Sequence, residues 1–244
     1  MNMDIIKEKI YNGTVICGLA TGYDFNNRLS FFETEKYDQD HVKSSRLQFE
    51  EIIKNDYHNK ELQFYYQNQK HSDIVIKIND KNLNYKCISD AIITDRKSLI
   101  LNVSIADCTA ILIYDKVNIA IAAVHSGWRG TNKKIVNKTL KKMNVDFGTN
   151  MKDVFTIILP SASKKKYEVG KEFINYFPKS TFKMNDKYFY SNQGEITNQL
   201  YECGIAKENI KINNDCTISN TRFHSYRRDG INAGRMNAYI GIID

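Results

Sequence analysis

Proline is nearly absent, at two of 244 residues, and no Gly/Ser-rich or low-complexity tract breaks the chain. Flexible and stiff linkers are made from such tracts. Without a seam, one domain over residues 1–244 is expected. No stretch approaches the roughly 18–20 consecutive apolar residues that span a bilayer, and no charged-then-apolar leader is present, so neither a membrane span nor a signal peptide is expected. Cysteine is sparse: five, at positions 17, 87, 108, 203 and 216, an odd number without a C-x-x-C pair. That spacing argues against a disulfide framework. It fits a reduced, cytoplasmic protein in which any special cysteine is a ligand or nucleophile. The net charge is +7 and the pI is near 9, yet no helix-turn-helix or aromatic-basic motif goes with them. The lysines are scattered, apart from Lys164, Lys165, Lys166 and the segment after Thr131. Nucleic acid is therefore not an expected partner, whereas a phosphate-bearing or anionic small molecule suits the charge.

What is present is organised around residues 104–131. Ile111, Leu112, Ile113 and Tyr114 form one β-rich run, residues 119–124 form another, and Asp115, Lys116, Val117 and Asn118 lie between them. This is the pattern of a hairpin. With the turn centred on Lys116 and Val117, Cys108 and His125 stand directly opposite each other, Cβ atoms about 4.5–5.5 Å apart. Alternation places Ala110, Leu112, Ile119, Ile121 and Ala123 on one face and Ile111, Ile113, Ala120, Ala122 and Val124 on the other. A ribbon apolar on both sides must be covered on both sides, which puts it inside a layered structure. Cys108 and His125 are then either a small buried hydrophobe and a core histidine, or one thiolate and one imidazole making half a zinc site.

Residues 4–10 read as a short strand or turn, 15–19 as a strand, and 24–38 as a loop or hairpin. Residues 41–55 have a helical period, with Val42, Phe49 and Ile53 in a stripe that also contains Arg46. An arginine there either snorkels out or turns its fork into a pocket as a substrate or phosphate clamp. Residues 73–78, 91–94, 99–105, 154–159 and 237–243 read as strands. Helices are expected at 132–144 (Ile135, Val136, Leu140 and Met143 inward), 167–177 and 196–203. Irregular alternation of the two types makes the fold class mixed α/β.

Leaving the hairpin, residues 125–131 read HSGWRGT. Gly127 and Gly130 allow close approach of backbone to a ligand, the following helix start offers N–H groups, and Arg129 adds a charge. The segment is either a phosphate or substrate contact or only a strand-to-helix turn plugged by Trp128. It does not fit G-x-x-x-x-G-K-[ST], which leaves an ATPase reading weak. Arg227, Arg228 and Asp229 read as a structural ion pair near a turn or as a pocket wall.

Seven segments occur in order: HSDIV (71–75), SDAIITDR (89–96), ADCTAILIYD (106–115), AAVHSGWRGT (122–131), YEVG (167–170), CTISNTRFHSYRRDG (216–230) and AGRM (233–236). Together they resemble the laccase-domain (YfiH) family of purine nucleoside phosphorylase and polyphenol oxidase-type proteins. The resemblance runs from about Gly18 to the C-terminus, and departs from the family pattern at 159–167. It implies a layered α/β sandwich with a central mixed sheet. It also implies a zinc ion held by His71, Cys108 and His125, with copper as the other metal such ligands accept. The implied activity is phosphorolysis of adenosine, inosine, guanosine or methylthioadenosine, with adenosine deamination beside it, so the partners are purine nucleosides and inorganic phosphate. Arg46 matches the family's arginine motif and is the implied phosphate or ribose contact, with Gly127 and Arg129 next. His224 stands where the family has an aromatic residue and is not taken as a ligand. A copper-linked polyphenol oxidase, or a metal-stabilised binding protein without turnover, are the alternatives. A cytidine-type deaminase is disfavoured, since H-x-E and P-C-x-x-C are both missing.

Overall fold

The doubly apolar hairpin lies where its two faces require. In the computed structural model, which describes residues 3–9, 13–24 and 27–243, the strands Thr109–Asp115 and Ala120–Ser126 are the two middle members of a six-stranded mixed sheet. Its order is Ile210–Ile212, Val154–Ile158, Thr109–Asp115, Ala120–Ser126, Ala91–Thr94, Val75–Lys77. Both edge pairings are parallel and the inner ones antiparallel. A second mixed sheet of five strands runs Ile5–Lys9, Val15–Ala20, Met236–Ile242, Leu99–Ile105, Gln63–Tyr66. The expected layered sandwich with a mixed central sheet is present, and a second mixed sheet doubles its central layer.

They meet through one apolar layer, in which Leu112, Ile121 and Ala123 of the hairpin share a cluster with Leu101, Val103 and Ile240. Each such leucine, isoleucine or valine contributes about 1.5–3 kcal/mol relative to exposure. The hairpin's other face, Ile111, Ile113, Ala122 and Val124, packs with Ile135, Leu140 and Met143 of one helix and Ile196 and Leu200 of another. The outer face of the five-stranded sheet is covered by the helix Gln39–Asp56, whose Phe49 and Ile53 pack with Ile16, Ile100 and Tyr239. Asp38 caps that helix by accepting the His41 backbone N–H at 2.9 Å. The result is a layered α/β/β/α sandwich. No helix of the described residues is long and apolar enough to cross a membrane.

The structure corrects the hairpin register. Asp115 remains in the ladder, paired with Ala120 and Val154, and its buried carboxylate accepts the N–H groups of Val117 and Asn118. The turn is therefore residues 116–119, one position later than expected. His125 faces Ala110 rather than Cys108. Cys108 lies just before the strand, in the bend at 106–108, where Asp107 has φ +78°.

Two helices also differ. The expected helix at 132–144 is interrupted: a five-residue turn, Trp128–Asn132, precedes Lys134 in the left-handed region, and the main helix is Ile135–Phe147. A five-residue helix accumulates little macrodipole, so its start offers backbone N–H groups but little charge. Residues 167–177 are not one helix. Glu168–Val169 pairs with the strand Lys187–Tyr190 and only Phe173–Tyr176 is helical, because strand pairing before Gly170 outcompetes local helical periodicity. The helix expected at 196–203 is longer, Asn192–Glu202, capped by Ser191. The readings at 4–10 and 24–38 fall partly on residues 10, 25 and 26, outside the described residues; around the latter, Tyr23–Asp24 pairs with Asn27–Arg28.

His224 is a structural histidine with a measurable consequence. Its Nε2 faces the carbonyls of Gly22 (3.1 Å) and Leu29 (3.0 Å), and its Nδ1 accepts the Gly234 N–H (3.2 Å). Only the neutral Nε2–H tautomer satisfies all three. Burial pushes its pKa down to about 4, against the pull of the Gly22 and Leu29 carbonyls. The unfolded imidazole titrates near 6.5, so between pH 6.5 and 4 the unfolded chain binds a proton that the fold refuses. Stability is expected to fall with pH through that window by up to about 3 kcal/mol. Urea melts of wild type and His224→Gln at pH 7.5, 5.5 and 4.5 check this. Parallel losses in the two proteins would remove His224 as the cause.

Candidate active site

Three separate segments bring His71, Cys108 and His125 together. Their donor atoms all lie within 4.8 Å of one another, with His71 Nε2 3.8 Å from Cys108 Sγ. The two imidazole rings meet edge to face at 4.9 Å. His125 is the last residue but one of the second hairpin strand, Cys108 sits in the bend before the first, and His71 projects from the loop before Val75 with φ +55°.

Asp90 organises two of the three. Its fully buried carboxylate accepts from the His125 Nδ1 (2.8 Å), from the backbone N–H groups of Lys70, His71 and Ser72, and from the Ser72 hydroxyl. One carboxylate thus fixes the ring orientation of His125, leaves its Nε2 for the site, and holds the loop that carries His71. Asp107 does the corresponding job beside Cys108. Its carboxylate accepts from Thr217, Ser225 and the Arg227 N–H, which ties the C-terminal segment to the bend.

Charge is stabilised inside this group. Burial alone disfavours every ion in it. Even so, His125 and Ser72 hold the Asp90 pKa down to about 2. The Cys108 thiolate and Asp90 carry that of His125 up to about 9. His125 and His71 bring the Cys108 thiol down to about 6.

The donor set fits a metal ion. In a tetrahedral zinc site, ligand distances of about 2.0–2.3 Å place donors roughly 3.3–3.7 Å apart, so the widest separation here must close by about 1 Å. A carboxylate on the far nitrogen of a ligating histidine is the usual outer support. Gly127 is part of the fit. A Cβ there would lie 2.9 Å from Cys108 Sγ and 3.1 Å from His71 Cδ2, while its φ of −77° is open to any residue. The effect of Gly127→Ala is therefore steric. It is expected to weaken metal binding roughly 10- to 100-fold with the fold retained, read by competition against a chelator; unchanged affinity would mean that the donors relax freely.

The group opens onto a cavity of about 590 Å³. Of the residues singled out in the sequence, His71, Cys108, His125, Gly127 and Arg129 line it, whereas Arg46 does not. The Arg46 guanidinium donates twice to the Phe31 carbonyl (3.2 and 2.8 Å) and lies 4.2 Å over the Tyr66 ring. The 227–229 group divides: Arg228 pairs with Asp229, while Arg227 faces the cavity. Asp90, Gln69 and Arg235 were not singled out. Asp90 and Arg235 sit in recognised segments, but the His125 partner of Asp90 is 35 positions away and the Ser30 hydroxyl that accepts the Arg235 backbone N–H is 205 positions away. Gln69 pairs both ways with the Ser104 backbone. The 159–167 segment, despite its departure from pattern, is anchored by the Ala162 N–H on the Asp107 carbonyl and delivers Tyr167 to the cavity.

The layered α/β sandwich thus carries, on the wall of an open cavity, a His-Cys-His donor group of the kind that holds a metal ion. The model of the multi-copper polyphenol oxidoreductase laccase family matches residues 26–243, and the chain belongs to that family. It is 39% identical over 161 residues to the purine nucleoside phosphorylase of Aquifex aeolicus, covering 66% of this chain and 74% of that one. It is 37% identical over 185 residues to a purine nucleoside phosphorylase of Clostridium acetobutylicum, covering 72% and 75%. A protein named adenosine deaminase RL5, from an unknown prokaryotic organism, is 30% identical over 156 residues, 60% of this chain and 59% of that one. The crystal structure of YlmD from Geobacillus stearothermophilus superposes with a TM-score of 0.87 at 19% identity, covering 99% of this chain and 100% of that one. The fold is therefore shared. Nucleoside processing is the function these relatives' names attach to the family.

Proposed function

We propose that the chain is a zinc-dependent purine nucleoside phosphorylase acting on adenosine, inosine, guanosine and methylthioadenosine, with adenosine deamination as a side activity. The observation that carries this reading is the opening of the His71–Cys108–His125 group onto a cavity that offers both aromatic faces and cations. Trp128, Tyr167 and Tyr226 supply surfaces for a purine ring, and stacking on such a ring is worth roughly 1–3 kcal/mol per base. Arg129 supplies positive charge for phosphate, beside the bare backbone at Gly127.

In phosphorolysis a phosphate oxygen bonds to C1′ as the C1′–N9 bond breaks. The departing purine keeps the electron pair and takes up a proton. In deamination water replaces the amino group at C6 and ammonia leaves. His71, Cys108 and His125 would hold the zinc ion, which would supply Lewis acidity and lower the pKa of a bound water towards neutrality. The group offers three protein donors, the number typical of catalytic rather than structural zinc sites. Arg46 acts at one remove: by holding the Phe31 carbonyl, it positions Phe32 and Glu33 on the cavity wall. The thiolate this chemistry uses suits a reduced, cytoplasmic setting.

Reduction of oxygen to water by four electrons, drawn one at a time from four phenols, needs several coppers. Among the described residues His71, Cys108 and His125 make one donor group of three and no other is found, so the phosphorylase reading is preferred to the oxidase.

Chromatography of adenosine incubated with the purified protein, with and without phosphate, tests the proposal. Adenine that forms only with phosphate supports phosphorolysis, and inosine formed without phosphate supports deamination. No product from any of the four nucleosides would overturn both in favour of a binding protein.

A further inference from the structure

The eight arginines of the chain fall into two populations. Arg28, Arg96, Arg222 and Arg228 each pair with a carboxylate, and Arg46 is committed to the Phe31 carbonyl. The other three, Arg129, Arg227 and Arg235, all line the cavity. Among the described residues none of these three has a carboxylate within ion-pair distance.

Each lies against an aromatic ring: Arg129 on Trp128 at 4.6 Å, Arg227 on Tyr167 at 5.2 Å and Arg235 on Tyr226 at 5.5 Å. Stacking occupies the flat face of a guanidinium and leaves its N–H edge for another partner. Arg235 donates from Nη1 to the carbonyls of Ala233 (2.9 Å) and Gly234 (3.1 Å). Its Nε and Nη2 have no protein acceptor among the described residues. Burial works against the Arg235 charge, and among the described residues the three cations stay unpaired although Glu33, Glu35 and Asp107 line the same cavity. An anion with several oxygens relieves both. A phosphoryl group matches the guanidinium fork as a carboxylate does, and its three or four oxygens and up to two charges near neutral pH can serve more than one arginine at once.

We propose that Arg129, Arg227 and Arg235 form a phosphoryl-oxyanion subsite beside the His71–Cys108–His125 group, and that Arg227 and Arg235, rather than Arg46, carry most of its affinity. This deepens the phosphorolytic reading and rests on it only for the use made of the phosphate. The phosphoryl group is either free inorganic phosphate or the 5′-phosphate of a nucleotide.

Calorimetric titration of the full-length protein with inorganic phosphate, AMP and adenosine tests it. Arg227→Gln and Arg235→Gln are each expected to weaken phosphate binding roughly 10- to 100-fold, the range for one lost bond to a charged group. Arg96→Gln, which breaks an ion pair with exposed Asp80, leaves it unchanged. The Arg227 side chain makes no hydrogen bond to protein among the described residues, so its variant keeps the test valid should Arg235→Gln fail to fold. AMP that binds more tightly than adenosine through the same two arginines, and displaces phosphate, identifies a nucleotide as the source. AMP no tighter than adenosine identifies free phosphate. Wild-type protein that binds neither, or variants that bind phosphate as wild type does, overturn the subsite. Arginine-dependent phosphate binding without phosphorolysis keeps the subsite and rejects the phosphorylase, and phosphorolysis with an unchanged phosphate KM in both variants does the reverse.

Discussion

Cys108→Ala is expected to abolish metal binding and reduce nucleoside turnover to background while the fold survives. The thiolate is the single sulfur donor of the group, and two histidines 4.9 Å apart, centroid to centroid, cannot by themselves make a three-ligand site. Losing an outer support typically weakens a metal site 10- to 100-fold, so losing a ligand should exceed roughly 100-fold. The fold has little to lose: Cys108 sits in a bend outside the strand ladder, and the Asp107 contacts to Thr217 and Ser225 that anchor this bend remain. Elemental analysis after dialysis, a thermal melt by circular dichroism and the adenosine assay report the three quantities separately. Full activity in this variant would sink the mechanism.

Asp90→Asn is expected to damage both the site and the fold. The native carboxylate accepts from the His125 ring, three backbone N–H groups and one hydroxyl. An amide replaces one acceptor oxygen with a donor aimed at other donors. Breaking a buried ionic network from one side costs about 3–5 kcal/mol, and the freed His71 loop and unoriented His125 ring should weaken metal binding roughly 10- to 100-fold. The sign with pH follows from the same carboxylate. Its folded pKa of about 2 lies below the unfolded value near 3.9. Its stabilisation is therefore complete above pH 4 to 5 and disappears as pH falls towards 2, a loss of about 2–3 kcal/mol that the variant does not share. Urea melts at pH 7 and pH 3 with a metal titration at pH 7 measure this. Wild-type metal affinity in the variant would show that Asp90 is only structural.

Much of the sandwich was legible in the sequence, because alternation within a strand is local. Alternation alone places the two apolar faces of residues 110–124 as the structure has them, although the turn lies one position later than expected, since both registers leave each side chain on the same face. The register itself turned on Asp115, whose carboxylate closes the turn while its backbone stays paired on both sides. No local pattern separates that from an aspartate within the turn. Residues 167–177 failed for a related reason: their helical period was real, but pairing with Lys187–Tyr190 lay beyond any local window.

The candidate site divides in the same way. The chain by itself determined which groups are available: one cysteine and two histidines in ordered segments, a glycine before Trp128, and eight arginines. Tertiary structure decided what each of them does. It drew His71, Cys108 and His125 within 4.8 Å, placed Asp90 between two of them, turned Arg46 to a backbone carbonyl and aimed Arg227 and Arg235 at the cavity. The physical reason is that strand and helix propensity act over a few residues, whereas a buried charge is placed by whatever donor or acceptor the fold brings to it. For Asp90 and His125 that partner is 35 positions away.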